Sequence, residues 1–210
     1  MSTPQQSPAA AFWDAHYGRH PGSGADGRTR CWSTRLPTFR PGTALDLGCG
    51  EGADAIWLAR RGWHVTAVDV SQTALDRGAR LAEAAGVNKL VDWQWHDLAH
   101  TFPTGAYDLV TAQYLHAPID LPRDRILRAA AAAVAPAGTL LLAGHASSPP
   151  WAPHPAPHGA FPDPADTART IGLHDSDWML VTCELRERPT TGPSGEPATV
   201  SDSVIKARRR

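Results

Sequence analysis

The sequence predicts an α/β fold: a doubly wound, mostly parallel seven-stranded sheet with helices on both faces and a C-terminal antiparallel hairpin. Three observations predict it. Short apolar runs alternate with amphipathic stretches from Pro41 to Ala143, so the hydrophobic period switches repeatedly between two and 3.6. Strands separated by helical segments pair in parallel through right-handed crossovers, which cover both sheet faces. After Asp163 the rhythm changes, and two strand-like runs flank a turn at Gly192 to Gly195.

Taken in order, Thr43 to Leu47 is a short apolar run that ends in a Gly-rich turn. Beyond the turn Ala55, Leu58, Ala59 and Gly62 recur at i, i+3, i+4 and i+7, one face of a helix. Val65 to Val68 is β-branched and apolar, a second strand. Ser71 stands at an N-cap position before a helix that turns Leu75, Gly78, Leu81, Ala82 and Ala85 inward, and Gly86 closes it. Val91, Trp93 and Trp95 alternate with Asp92, Gln94 and His96 as a third strand; Tyr107 to Gln113 makes a fourth. Pro122 opens a helix through Ile126, Leu127, Ala130 and Val134 that stops before Pro136, and Thr139 to Ala143 is a fifth strand. A Pro- and His-rich loop from His145 to Pro162 precedes a capped helix start at Asp163 to Asp166. Strands at Trp178 to Arg188 and Thr199 to Arg208 then complete the hairpin on the sheet edge.

Residues 1–40 form a leading segment, and residues 41–210 form the domain, whose size suffices for a proper core. Met1 to Ala10 is polar and His20 to Arg30 is rich in Gly, Arg and Asp, compositions expected to be mobile unless a ligand orders them. Between them Phe12, Trp13 and Tyr17 give a short helix an aromatic face, which either packs on the domain or closes over a ligand as a lid.

A net charge of −1 provides no broad field for nucleic acid or an anionic membrane, and Arg208 to Arg210 reads as a solvated strand end. Neither partner is expected. Cys31, Cys49 and Cys183 are odd in number with no C-x-x-C spacing, which argues against disulfides or zinc and for a reducing cytoplasm. The chain shows no signal-peptide pattern at its start and no membrane-length apolar window. His116, His145, His154 and His158 could suggest a metal. Yet Pro153, Pro155 and Pro157 forbid the helix that would bring positions 154 and 158 to one face, so none is expected. A monomer and a homodimer both fit.

The strongest chemical signal is the turn Asp46-Leu-Gly48-Cys49-Gly50-Glu-Gly52. Its alternate glycines let the backbone turn sharply and approach a ligand where a Cβ would collide. Asp46 beside it suits a cationic amino-acid portion, whereas a pyrophosphate prefers exposed amides at a helix start. Asp69, at the end of the second strand, stands where sheet ligands bind and could accept two ribose hydroxyls. Gly48, Gly50 and Ala53 also satisfy the looser dinucleotide fingerprint, so these residues alone leave a nicotinamide cofactor open.

The runs Ala44 to Gly52, Val65 to Ser71, His96 to Leu98 and Tyr107 to Gln113 resemble, in order and spacing, successive motifs of class I S-adenosylmethionine-dependent methyltransferases. The resemblance spans roughly residues 40–145 and implies a Rossmann-like fold with S-adenosylmethionine as cofactor and S-adenosylhomocysteine as product. It implies that Asp46, Gly48, Cys49, Gly50 and Gly52 hold the methionine and ribose portions, Asp69 the ribose hydroxyls, and Val70 one adenine face. Asp97 and Leu98 would meet the adenine edge, and Gln113 the methionine moiety. Without the resemblance, Asp97 could equally cap a turn and Gln113 satisfy a strand end. Trp13-Asp14-x-x-Tyr17, followed by Trp32, is similar to the opening of the small tellurite-resistance and thiopurine S-methyltransferase type, which implies that Trp13, Tyr17 and Trp32 enclose the cofactor.

Methyl transfer from a sulfonium is an in-line displacement that needs alignment and exclusion of water. A base serves only an acceptor that must lose a proton. His116, just after the fourth strand, and His145, ending the fifth, are the candidates. No Asn-Pro-Pro-Tyr or Asp-Pro-Pro-Tyr follows the fourth strand, which directs expectation to a small-molecule acceptor: a thiol, metalloid, amine or hydroxyl. A nicotinamide-dependent oxidoreductase and a non-catalytic S-adenosylmethionine-binding module are the rival functions.

Overall fold

A computed structural model describes residues 7–20, 22, 40–116, 121–152 and 161–210. Seven strands form one sheet in the order β3-β2-β1-β4-β5-β7-β6, and the chain divides into two compact units, Met1–Leu109 and Val110–Arg210.

The first unit holds α1 (Pro8–Arg19), β1 (Thr43–Leu47), α2 (Ala53–Ala59), β2 (His64–Asp69), α3 (Gln72–Ala84) and β3 (Val91–Trp95). β1 pairs with β2 and β2 with β3, both in parallel, because a helix intervenes each time. Ala44, Leu45, Leu47, Ala67 and Val68 are wholly buried, as strands covered on both faces must be. Parallel register sets Asp46 level with Ala67 and Asp69 level with Trp95, so the polar residues gather at the carboxyl ends of the strands.

β4 (Tyr107–Gln113) runs from the first unit into the second, which holds α4 (Arg123–Ala132), β5 (Val134–His145), α5 (Pro164–Thr170), β6 (Trp178–Thr191) and β7 (Pro197–Arg209). Here the pairing is antiparallel: β5 with β7 and β7 with β6. That register puts His145 directly across from Asp202. A carboxylate well inside β7 thereby reaches the carboxyl end of β5.

The expected strands and the terminal hairpin are all present, and the boundaries carry the corrections. Leu81, expected inward, is 50% exposed, because the buried stripe of α3 runs through Ala74, Leu75, Gly78 and Ala82. Gly62 lies beyond α2 at φ 86, a left-handed position that ends a helix rather than extending it. Val134 starts β5 rather than ending α4: the helix is capped at Ala133, and Pro136 biases Ala135, at the start of the strand, towards extended backbone. Pro8, Ala9 and Ala10 are the first turn of α1, capped by Ser7.

Candidate functional site

The glycine turn after β1 has left-handed backbone at Gly48 (φ 68), Gly50 (φ 54) and Gly52 (φ 78). The space their missing side chains leave is used partly by the protein itself. A Cβ on Gly50 would stand 2.7 Å from the Tyr17 hydroxyl, and one on Gly52 would overlap the Trp93 ring. Gly52 is thus glycine for packing as well as for any ligand, a role of Trp93 that alternation along β3 did not reveal.

Two buried carboxylates face this turn. Asp69 accepts from the Gly50 amide through Oδ2 and from the Ser71 amide through Oδ1, each at 2.8 Å. Burial pushes its pKa up even though those amide bonds oppose the shift. Asp46 is 2% exposed, and its Oδ2 has no hydrogen-bond partner among the described residues. Burial, then the charges of Asp54 and Asp69, push it well above the usual carboxylate range. Clustered acids without a cation make a place short of positive charge. Cys49 sits in the turn, half-buried, its thiol also pushed up by burial and then by Asp69 and Asp46.

Asp97 caps a turn: its Oδ1 accepts from the Ala99 amide at 3.1 Å, and its carbonyl accepts from the amides of His100 and Thr101. His100 Nδ1 lies 3.2 Å from Oδ2. Burial would raise this carboxyl, but the Ser7 hydroxyl, the Ala99 amide and His100 more than offset it, and its pKa lies below the usual value. Val70 and Leu98 are half-buried beside these acids in sequence.

α1 links these pieces. At its start Ser7 bonds Asp97; at its middle Asp14 Oδ1 accepts from the Ser71 hydroxyl at 2.6 Å and the Thr73 amide at 3.0 Å. Near its end Arg77 Nη1 donates to the Tyr17 carbonyl at 2.6 Å and to Glu51 Oε1 at 3.0 Å, while Glu51 Oε2 accepts from the Gly22 amide at 2.8 Å. The Trp13 and Tyr17 rings lie 6.0 Å apart on this helix. α1 therefore spans the distance from the Asp97 turn, past the start of α3, to the glycine turn. Asp14, Glu51, Ser71 and Arg77 were not singled out for this: Ser71 signalled only its cap, and Arg77 is indistinguishable in sequence from a solvated helix charge. Trp32, expected to join this cover, lies outside the described residues.

In the second unit, polar groups converge on Asp202, which is 3% exposed. Its Oδ2 accepts from the Tyr114 hydroxyl at 2.8 Å and Arg188 Nε at 2.9 Å, and its Oδ1 lies 3.7 Å from His145 Nδ1. Burial would raise this acid, but His145, Arg188 and Tyr114 hold it well below the carboxylate range. Tyr114 has φ 53, a strained value for a bulky residue, and its ring centroid lies 4.6 Å from that of His145. His116 Nε2 accepts the His145 amide at 3.1 Å; burial, then Arg123 and His145, lower its pKa to about 4. Gln113 Nε2 donates to Thr111 Oγ1 at 2.8 Å, the strand-end role that was its alternative. Asp202 and Arg188 escaped sequence reading because only the hairpin register brings them to His145. Among the described residues no three His, Cys, Asp or Glu side chains are grouped to hold a metal, and His154 and His158 lie outside those residues.

Residues 44–138 match a family described as methyltransferase domain. This segment is similar to a methyltransferase domain. A curated relative, ribosomal RNA small subunit methyltransferase C of Chromohalobacter salexigens, is 32% identical over 142 residues, 62% of this chain and 42% of its own length. The chain spans less than half the length of the curated relatives it matches. Among solved structures, TehB from Haemophilus influenzae aligns with TM-score 0.68 at 18% identity, over 94% of this chain and 67% of its own. DhpI, solved as a complex with SAH, aligns with TM-score 0.61 at 18% identity, over 96% and 95%. Both share the fold of this chain.

Proposed function

We propose that the protein transfers the methyl group of S-adenosylmethionine to a small-molecule nucleophile and releases S-adenosylhomocysteine. The observation that carries this is the unpartnered, buried Oδ2 of Asp46 beside a second buried acid, Asp69, at the glycine turn. Such a site is completed by a cationic ligand. S-adenosylmethionine brings an ammonium and a sulfonium, whereas the pyrophosphate of a nicotinamide cofactor would add negative charge beside Asp46 and Asp69. The SAH complex of DhpI, a protein of the same fold, supports the choice.

On this reading Gly48, Cys49, Gly50 and Gly52 shape the methionine and ribose seat, and Asp69 accepts a ribose hydroxyl on lone-pair capacity that its amide bonds from Gly50, Val70 and Ser71 leave free. Val70 and Leu98 flank the adenine, and Asp97 meets its edge. Trp13 and Tyr17 on α1 cover the seat. The small-molecule acceptor rests on the net charge of −1, which offers no broad field to a nucleic acid. Similarity to a ribosomal RNA methyltransferase makes an RNA acceptor the comparison to run.

Calorimetric titration of S-adenosylhomocysteine and NADH into the wild type and Asp69→Ala tests the cofactor. S-adenosylhomocysteine should bind and NADH should not. Asp69→Ala should weaken binding by about 100-fold, corresponding to about 3 kcal/mol of charge-assisted hydrogen bonding. NADH binding without S-adenosylhomocysteine binding would overturn the assignment. Release of S-adenosylhomocysteine with small nucleophiles, set against a 16S ribosomal RNA transcript, tests the acceptor class.

A further inference from the structure

We propose that the second unit binds the oxyanion group of a small molecule, a carboxylate or a phosphate, on Arg123 at the start of α4, with His116 as a second donor. The site lies within this unit and is independent of the cofactor reading above. Arg123 is the first residue of α4, a ten-residue helix with Pro122 at its cap and no side-chain hydrogen bond there. A cation is disfavoured at that place, because the amides of the first turn already point their positive ends outward. The side chain is nonetheless half-buried, and its Nε is shielded from solvent with no hydrogen-bond partner among the described residues. Such a donor calls for an explanation.

Other arginines of the unit have acceptors. Arg188 pairs with Asp202, and Arg128, Arg209 and Arg210 donate to the carbonyls of Thr170, Val134 and Ser176. Among the described residues no acid forms an ion pair with Arg123; the pairs of this unit belong to Arg169, Arg186, Arg188 and His145. Asp124, next in sequence, is exposed, and burial lowers the Arg123 pKa by more than the Asp124 charge raises it. A charged group shielded without a partner is costly, and a bound oxyanion removes that cost.

His116 supplies the second donor. Its Nε2 accepts the His145 amide at 3.1 Å, so the neutral ring carries its hydrogen on Nδ1, and that N–H has no partner among the described residues. Burial, then the charges of Arg123 and His145, bring its pKa to about 4, which keeps the ring neutral near neutral pH and puts it within electrostatic range of the guanidinium. Two donors without acceptors, one of them permanently charged, select an anion. The planar Nε–Nη edge of arginine fits two oxygens of one carboxylate or phosphate side by side, and the start of α4 favours the same charge. A cationic or apolar ligand would leave these groups unanswered.

Calorimetric titration of the full chain with inorganic phosphate, phenyl phosphate, acetate and benzoate, at an ionic strength held constant with chloride, tests the site. At least one probe should bind with Kd below about 1 mM, and the tighter class, phosphate or carboxylate, identifies the group that the ligand carries. Arg123→Met, which keeps most of the stem, should weaken that binding about tenfold or more, and Arg123→Lys nearly as much, because an ammonium keeps the charge but not the fork. His116→Ala should weaken it about fivefold. The Arg123 Nε–H signal in proton–nitrogen spectra, identified by its loss in Arg123→Lys, should shift as the probe saturates. Without added oxyanion Arg123→Met should melt no lower than the wild type, since it removes a charge that lacks a partner, and this separates lost binding from lost folding. No binding of any probe, or binding that Arg123→Met leaves within about twofold, would overturn the proposal. So would a melting midpoint of Arg123→Met more than about 3 °C below the wild type, because the guanidinium would then already be paired within the chain.

Discussion

The two units treat buried carboxylates in opposite ways. At the glycine turn Asp46 and Asp69 are buried together, both pKa values are raised, and one oxygen of Asp46 has no partner among the described residues. On β7 Asp202 is equally buried, yet Tyr114, Arg188 and His145 surround it and its pKa is depressed. Burial opposes the charged form in each case, and at Asp202 the partners outweigh it. A satisfied acid fixes its neighbours in place; an unsatisfied one is open to a ligand.

The largest effect that would sharpen this contrast comes from Gly52→Ala. The new methyl meets the Trp93 ring at a left-handed backbone position, and a loss of about 3 kcal/mol is expected in a urea titration. A loss below about 1 kcal/mol would show that Trp93 yields and that the turn is not held from within.

Asp202→Asn comes next. Arg188 and Tyr114 lose a charged acceptor, which should cost about 2 kcal/mol after discounting for the partly exposed Arg188. The sign with pH follows from the depressed folded pKa. Stability from Asp202 is present above the unfolded value of about 3.9 and is lost as pH falls through the folded one. The variant should lack that acid-side loss when melting midpoints are followed down in pH.

Asp14→Ala removes the acceptor for Ser71 and Thr73 and should cost about 1 kcal/mol. Faster amide exchange confined to α1 would mark local release of the helix, and uniform exchange across the unit would contradict its role as a latch.

Asp46→Asn should act with the opposite sign. Its raised folded pKa means that the wild type loses stability as pH climbs from about 3.9 through the folded value. Removing the charge should therefore raise the neutral-pH melting midpoint by about 2–4 °C while weakening S-adenosylhomocysteine binding. A lower midpoint would break the contrast, because Asp46 would then already be satisfied.

Sequence alone determined the strands, most helices and the glycine turn, because local periodicity and glycine backbone freedom act over a few residues. Asp46 and Asp69 were legible for that reason: each ends or nearly ends a buried strand, where a charged side chain stands out. Leu81 was misplaced because the helical period does not say how wide a stripe the sheet will cover. Only tertiary structure distinguishes the surroundings of His116 and His145, since antiparallel register sets Asp202 across from His145 and His116 accepts its neighbour's amide. It alone joined Ser7, Asp14 and Tyr17 to Asp97, Ser71 and Arg77, contacts up to 90 residues apart in the chain. Hydrogen bonds between distant segments depend on how elements pack, and no local pattern records that.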